Sequence, residues 1–138
     1  MIRKISIKLS IFMILISFCF PGGCKDIYMK HEDITVKKAF SLIHNNSGNN
    51  NFVILDVRTP GEFTSGHIEN AININFNSPA FRDSLASLDR NAMYLVYCRS
   101  GNRSAKAINV MKELNFTKTY NIVGGIVEWI HKGFPTVK

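Results

Sequence analysis

Met93-Tyr94-Leu95-Val96-Tyr97 is apolar throughout and stops at Cys98-Arg99-Ser100-Gly101-Asn102-Arg103-Ser104, after which Ala105, Ala107, Ile108, Met111 and Leu114 recur at helical spacing. A short apolar run without alternation is the pattern of a strand buried on both faces, the environment a parallel sheet provides. A strand that passes through seven polar or small residues into a helix therefore predicts an α/β unit with its turn at the strand's carboxyl end. Cys98 falls in that turn, beside the backbone N–H groups of residues 99 to 104 and the positive end of the helix dipole. Both favour a thiolate and any anion held next to it. Gly101 allows a positive φ that lets the N–H groups converge, and Arg99 and Arg103 add positive charge. The same residues also fit an inert cysteine ending a strand before a polar turn, but packing gives no reason for two arginines and a glycine there.

Outward from this unit the chain keeps alternating. Phe52-Val53-Ile54-Leu55 is a second buried strand ending at Asp56, with Arg58 two residues on; Pro60-Gly61 opens a short helical turn, and Ala71-Ile72-Asn73-Ile74 reads as a further strand. Phe81, Leu85 and Leu88 have helical spacing. Upstream, Thr35 caps a helix whose apolar positions are Val36, Ala39, Phe40 and Ile43, ended by the turn-rich run Asn45 to Asn51. Downstream come a strand over Thr119 to Val123, a Gly124-Gly125 turn and a short helix from Ile126 to His131. The pattern predicts an α/β fold, doubly wound, with a central, mostly parallel sheet flanked by helices. Ligands in such sheets bind outside the carboxyl ends of the strands.

The chain has 138 residues, with 17 Lys and Arg against 10 Asp and Glu and 46% hydrophobic residues. That suffices for one compact domain and excludes a multidomain enzyme or a disordered chain. Arg3, Lys4 and Lys8 precede the first acid at Asp26, so the 14 basic and 10 acidic residues that follow leave a surplus too small to predict nucleic-acid binding. Met1 to Lys8 is a short basic region, and Leu9 to Phe20 is an uncharged apolar run broken by Pro21-Gly22-Gly23. A spanning helix needs roughly 20 apolar residues, so residues 1–24 read as an export signal. Gly22-Gly23-Cys24 resembles the end of a bacterial lipoprotein signal, with Pro21 where Leu is usual, which implies lipidation at Cys24 and a cell-envelope or periplasmic location on a lipid anchor in the membrane. Residues 25–33 are polar and aperiodic and read as a tether, with the domain spanning residues 34–138. With Cys19 removed and Cys24 acylated, Cys98 is a lone thiol in an exported domain, the arrangement expected of a reactive cysteine.

Four ordered segments resemble the rhodanese-like sulfurtransferases. These are Leu55-Asp56-Val57-Arg58-Thr59-Pro60-Gly61-Glu62-Phe63 with Gly66-His67-Ile68-Glu69-Asn70-Ala71-Ile72-Asn73-Ile74, the Cys98 to Ser104 loop, Gly124-Gly125-Ile126-Val127-Glu128-Trp129, and Gly133-Phe134-Pro135. The resemblance covers residues 33 to 137; Asn70 stands where the family more often has Gly, and the Asn45 to Asn51 loop is longer and more polar. It implies a rhodanese-like fold and transfer of a sulfane sulfur through a persulfide on Cys98, with Arg99, Ser100, Gly101, Asn102, Arg103 and Ser104 binding substrate. Four residues separate Cys98 from Arg103, as in sulfurtransferases, whereas the related phosphatases and arsenate reductases have a loop one residue longer. The implied partners are a small anionic sulfur donor such as thiosulfate, a thiol or cyanide acceptor, and a sulfur-relay protein. A persulfide carrier or redox sensor is the alternative on the same loop.

Asp56, Arg58 and His67 are expected to support the site, Asp56 and Arg58 as a scaffold pair or as a partner for Arg103. His31, His44 and His131 form no spaced set with Cys98, so no metal and no cofactor is expected.

Overall fold

The computed structural model describes residues 28–138. The signal at 1–24, Cys24 and the first part of the tether lie outside the described residues. Ten elements follow in order: β1 (Lys30–Ile34), α1 (Val36–Asn45), β2 (Phe52–Asp56), α2 (Pro60–Thr64), β3 (Ile72–Asn73), α3 (Phe81–Ala86), β4 (Met93–Tyr97), α4 (Asn102–Glu113), β5 (Lys118–Ile122) and α5 (Gly125–His131). The strands form one sheet in the order β1-β5-β4-β2-β3, and every pairing is parallel. The two apolar runs of the sequence, β2 and β4, are neighbours at its centre, paired from Phe52 with Met93 to Asp56 with Tyr97.

Both faces are covered, which is why those strands do not alternate in polarity. On one side Tyr94, Val96 and Cys98 of the β4 strand and its turn pack with Leu55, Phe81, Leu85, Ala107, Ile108, Met111 and Phe116, so α3 and α4 lie there. On the other, Leu95 and Tyr97 pack with Ile34, Val36, Ala39, Ile54, Tyr120, Ile122, Ile126 and Trp129, beneath α1 and α5. Burying a side chain such as Leu55 or Leu95 contributes about 1.5–3 kcal/mol. Trp129 is anchored twice, by Phe40 and Phe134 around its ring and by its Nε1–H donating to the Pro135 carbonyl at 2.9 Å.

Two sequence expectations change. Residues 30–33, expected as tether, belong with Ile34 to β1, paired along its length with β5. An edge strand takes its stability from backbone pairing and needs few apolar side chains, so Lys30-His31-Glu32-Asp33 gives no apolar signal; His31 Nδ1 instead meets Thr119 Oγ1 at 2.7 Å, and Lys30 and Lys38 both hold Glu32. The helix after Cys98 begins at Asn102. Asn102, Arg103 and Ser104 are therefore its first turn and not loop, because the αL conformation of Gly101 (φ 99°) starts the helix at once.

Candidate active site

Cys98 lies at the carboxyl end of the central strand, 1% exposed, with its sulfur above the N-terminus of the twelve-residue α4. The Gly101 N–H donates to Sγ at 3.1 Å, and the Ser104 hydroxyl lies 3.4 Å from it. Burial pushes the Cys98 thiol up, but hydrogen bonds from the Ser104 hydroxyl and from the N–H groups of Ser104, Gly101 and Ser100 outweigh it, leaving the thiol below its ordinary value. A thiolate stabilised in this way is a nucleophile that needs no separate general base. Cys98 is the free cysteine among the described residues.

Two close backbone approaches shape this turn. A Cβ on Gly101 would stand 3.3 Å from the Gly124 nitrogen. One on Gly125 (φ 57°) would stand 2.5 Å from the carbonyl oxygens of both Cys98 and Arg99. The glycine pair thus brings the start of α5 against the loop, where the N–H groups of Ile126 and Val127 donate to the Cys98 and Arg99 carbonyls at 2.9 and 3.1 Å. With those carbonyls turned away and held, the N–H groups of the loop are left facing the sulfur.

The residues expected to bind substrate separate into two groups. Arg99, Ser100 and Asn102 are exposed at the mouth, and Arg99 has no ion-pair partner among the described residues. Gly101 and Ser104 are buried beneath the sulfur, where the Ser104 hydroxyl also lies 3.0 Å from the Gly101 carbonyl and 2.6 Å from Asn121 Oδ1. Arg103 is not a free anion binder: its Nη1 and Nη2 donate to Glu62 at 2.9 and 2.7 Å. Sequence reasoning proposed Asp56 and Arg58 as a pair or as the partner of Arg103, and the pair is what forms. Arg58 donates to both Asp56 oxygens, at 2.7 to 3.1 Å, and to the Gly66 carbonyl, and lies over the Tyr97 ring. Asp56 thereby holds the β2 end while Glu62 takes Arg103.

Glu62 is the site residue that sequence reasoning missed. Thr59 and Glu62 form a reciprocal capping box at the start of α2, a pattern legible as Thr-x-x-Glu. Its second role depends on α4 meeting α2 across 41 residues of sequence. Hydrogen bonds from Arg103 hold the Glu62 carboxyl down at about 2. His67 stacks on Phe63 (centroids 3.8 Å apart), and its Nδ1–H donates to the Phe63 carbonyl at 3.0 Å; its backbone bridges to Val137. Those contacts support the turn after α2. Among the described residues no group of three His, Cys, Asp or Glu side chains is placed to hold a metal ion.

A buried strand-end cysteine in an amide cradle, with the Gly-Gly turn packed on it, coincides with a family match: the Rhodanese-like domain profile matches residues 40–132. The chain belongs to the rhodanese-like domain family. A protein named thiosulfate sulfurtransferase 16, chloroplastic, from Arabidopsis thaliana is 37% identical over 92 residues, 59% of this chain and 77% of that protein. A sulfurtransferase from Allochromatium vinosum is 33% identical over 85 residues, 62% of this chain and 78% of its own length. Among solved structures, a rhodanese-related protein from Thermoplasma volcanium superposes with a TM-score of 0.64 at 33% identity, covering 77% of this chain and 97% of that one. The parallel five-stranded sheet flanked by helices is this family's architecture, and the rhodanese-like domain here carries its Cys98 loop on β4 and α4.

Proposed function

We propose that the protein is a sulfurtransferase that carries a sulfane sulfur as a persulfide on Cys98. The observation that carries this reading is the buried Cys98 sulfur, receiving the Gly101 N–H at 3.1 Å with the Ser104 hydroxyl 3.4 Å away, next in sequence to the exposed Arg99. With thiosulfate as donor, the Cys98 thiolate attacks the outer sulfur; a new S–S bond forms as the old one breaks, and sulfite leaves with the bonding pair. Cys98 keeps a persulfide anion, which the loop amides stabilise. Cyanide or a thiolate then attacks the terminal sulfur, releasing thiocyanate or a new persulfide and returning the Cys98 thiolate. This is two-step covalent transfer. Arg99 draws in the anionic donor, and the relatives named for sulfur transfer support the reaction class.

One observation favours a donor less charged than thiosulfate. Glu62 neutralises Arg103, leaving Arg99 as the unpaired guanidinium at the mouth. On that reading Cys98 receives its sulfur from a persulfide on another molecule and acts as a carrier or sensor, with a sulfur-relay protein as partner. Intact mass of the purified chain before and after thiosulfate, then after cyanide, separates the two. Gain of one sulfur atom, repeated release of thiocyanate and loss of both in Cys98→Ser are expected for the enzyme. No gain from thiosulfate, with gain from a thiol persulfide, identifies the carrier. No gain from either overturns the proposal.

We also place the protein at a bacterial cell envelope, anchored through Cys24. The basic start, the apolar run from Leu9 to Phe20 and the Gly22-Gly23-Cys24 sequence support this. Incorporation of labelled fatty acid, abolished in Cys24→Ala, is the test; a chain recovered unlabelled in the soluble fraction refutes it.

A further inference from the structure

The Cys98 sulfur is linked to the edge strand β1 by a chain of neutral groups that ends in a carboxylate. Ser104 is fully buried and Asn121 is 5% exposed. The Asn121 Nδ2–H donates to Asp33 Oδ1 at 2.9 Å, which fixes how the amide points. Were it reversed, its carbonyl oxygen would face the Asp33 carboxylate, acceptor against acceptor. Held this way, Asn121 presents Oδ1 to the Ser104 hydroxyl at 2.6 Å.

That hydroxyl has one proton and three acceptors: Asn121 Oδ1 at 2.6 Å, the Gly101 carbonyl at 3.0 Å and Cys98 Sγ at 3.4 Å. The distances order the competition in favour of Asn121. With the proton there, Ser104 turns lone pairs to the sulfur and accepts from a thiol S–H. Only by surrendering the Asn121 contact can it donate to a thiolate. Gly101 gives its N–H to the sulfur without any such competition.

We propose that Asn121, oriented by Asp33, is a positioning residue that withholds the Ser104 proton from Cys98, setting how much of the sulfur is thiolate at a given pH. The inference rests on the proposed role of Cys98 and names the residues that regulate it. The device keeps the resting sulfur less ionised than the Ser104 hydroxyl, freed from Asn121, would make it. A buried network whose members compete for one proton acts on the group at its end. The charged groups placed round the loop and its network are Arg99 from the loop, Arg103 from α4, Glu62 from α2, Asp56 at the end of β2 with Arg58 just after it, and Asp33 from β1. An uncharged replacement at Asn121 removes none of these charges; it takes a hydrogen bond from Asp33 alone, whose own replacement by Ala is the second route below.

The test measures alkylation of Cys98 by iodoacetamide against pH in the full chain, read by mass on the peptide bearing Cys98 so that Cys19 and Cys24 do not contribute. Ser104→Ala is expected to move the midpoint up by about one pH unit, a tenfold loss of thiolate below it, since it removes a donor to a charged sulfur. Asn121→Leu is expected to move it down by about half a unit, roughly a threefold gain, as the freed hydroxyl turns to sulfur. In a Ser104→Ala background, Asn121→Leu is expected to move nothing, because the coupling runs through the hydroxyl. Asp33→Ala, at an exposed position, gives a second route: the amide is free to reverse, and the midpoint falls. That fall should persist in 1 M salt, where the Debye length of about 3 Å removes the long-range effect of a lost charge. An upward or absent shift in Asn121→Leu, the same shift with and without Ser104, or a fall in Asp33→Ala that salt abolishes overturns the proposal. Treating the chain with cyanide and removing it before alkylation leaves the free thiol, so this outcome is independent of whether transfer occurs.

Discussion

Replacing Glu62 by Gln keeps the shape of the side chain and removes the charge that Arg103 grips with both nitrogens, at 2.9 and 2.7 Å. Its carboxyl lies at about 2, held down first by the Arg103 hydrogen bonds, against an ordinary 4.5. At about 1.4 kcal/mol per unit, the full difference corresponds to at most roughly 3.5 kcal/mol. The side chains of Arg103 and Glu62 are 25% and 31% exposed, so water screens the pair and about 1 to 2 kcal/mol is the realistic contribution. A depressed carboxylate contributes stability that is fully present above its unfolded value and is lost as pH falls through its folded value. Urea unfolding of the wild type should therefore lose about 1 to 2 kcal/mol between pH 5 and pH 2 that Glu62→Gln has already lost at pH 7. The two proteins should converge in acid. The same substitution leaves Arg103 without its carboxylate near Cys98, so KM for a dianionic donor should fall several-fold with little change in kcat. Equal stability at pH 7, or a gap that persists at pH 2, would refute the pairing as a source of stability. A KM unchanged for thiosulfate would refute its role in limiting the donor.

Gly125→Ala should be far worse than Gly48→Ala, although both glycines have positive φ, 57° and 78°. At Gly48 nothing lies within 4 Å of the added carbon, so the cost is the backbone strain of about 1 kcal/mol. At Gly125 the carbon meets two backbone oxygens at 2.5 Å, and a thermal melt should fall by well over 10 °C with loss of Cys98 reactivity; similar melting temperatures for the two variants contradict the close approach. Cys98 should ionise at lower pH when folded than in denaturant, because the hydrogen bonds that hold it down vanish on unfolding; iodoacetamide rates against pH in the two states check this, and a folded midpoint at or above the denatured one excludes it. Trp129→Ala should cost about 3 to 5 kcal/mol in urea unfolding, since the ring is 2% exposed and packed by Phe40 and Phe134. A loss under 1 kcal/mol would show that the anchor is dispensable.

Much of the fold was legible because its central strands announce themselves. Phe52 to Leu55 and Met93 to Tyr97 lack alternation since both faces of a parallel sheet are covered, and that same burial puts Asp56 and Cys98 at strand ends. The cradle was legible for a local reason: Cys98, Gly101 and the first turn of α4 are contiguous, and an amide nest needs only neighbouring residues. β1 was not legible, because an edge strand held by backbone pairing carries no apolar pattern. What only the tertiary structure decided is which polar side chains share protons and charge. Arg103 and Asp56 lie near enough in the sequence pattern to suggest each other, yet Asp56 is already saturated by Arg58, and Glu62, legible only as a helix cap, closes on Arg103 from α2. Likewise Asp33, Asn121 and Ser104 come from β1, β5 and α4, and meet because the sheet order sets β1 beside β5 and the first turn of α4 starts just beyond the end of the neighbouring β4. Hydrogen bonds and ion pairs act over about 3 Å, so their partners are set by how elements pack, whereas burial and helix capping are written in neighbouring residues.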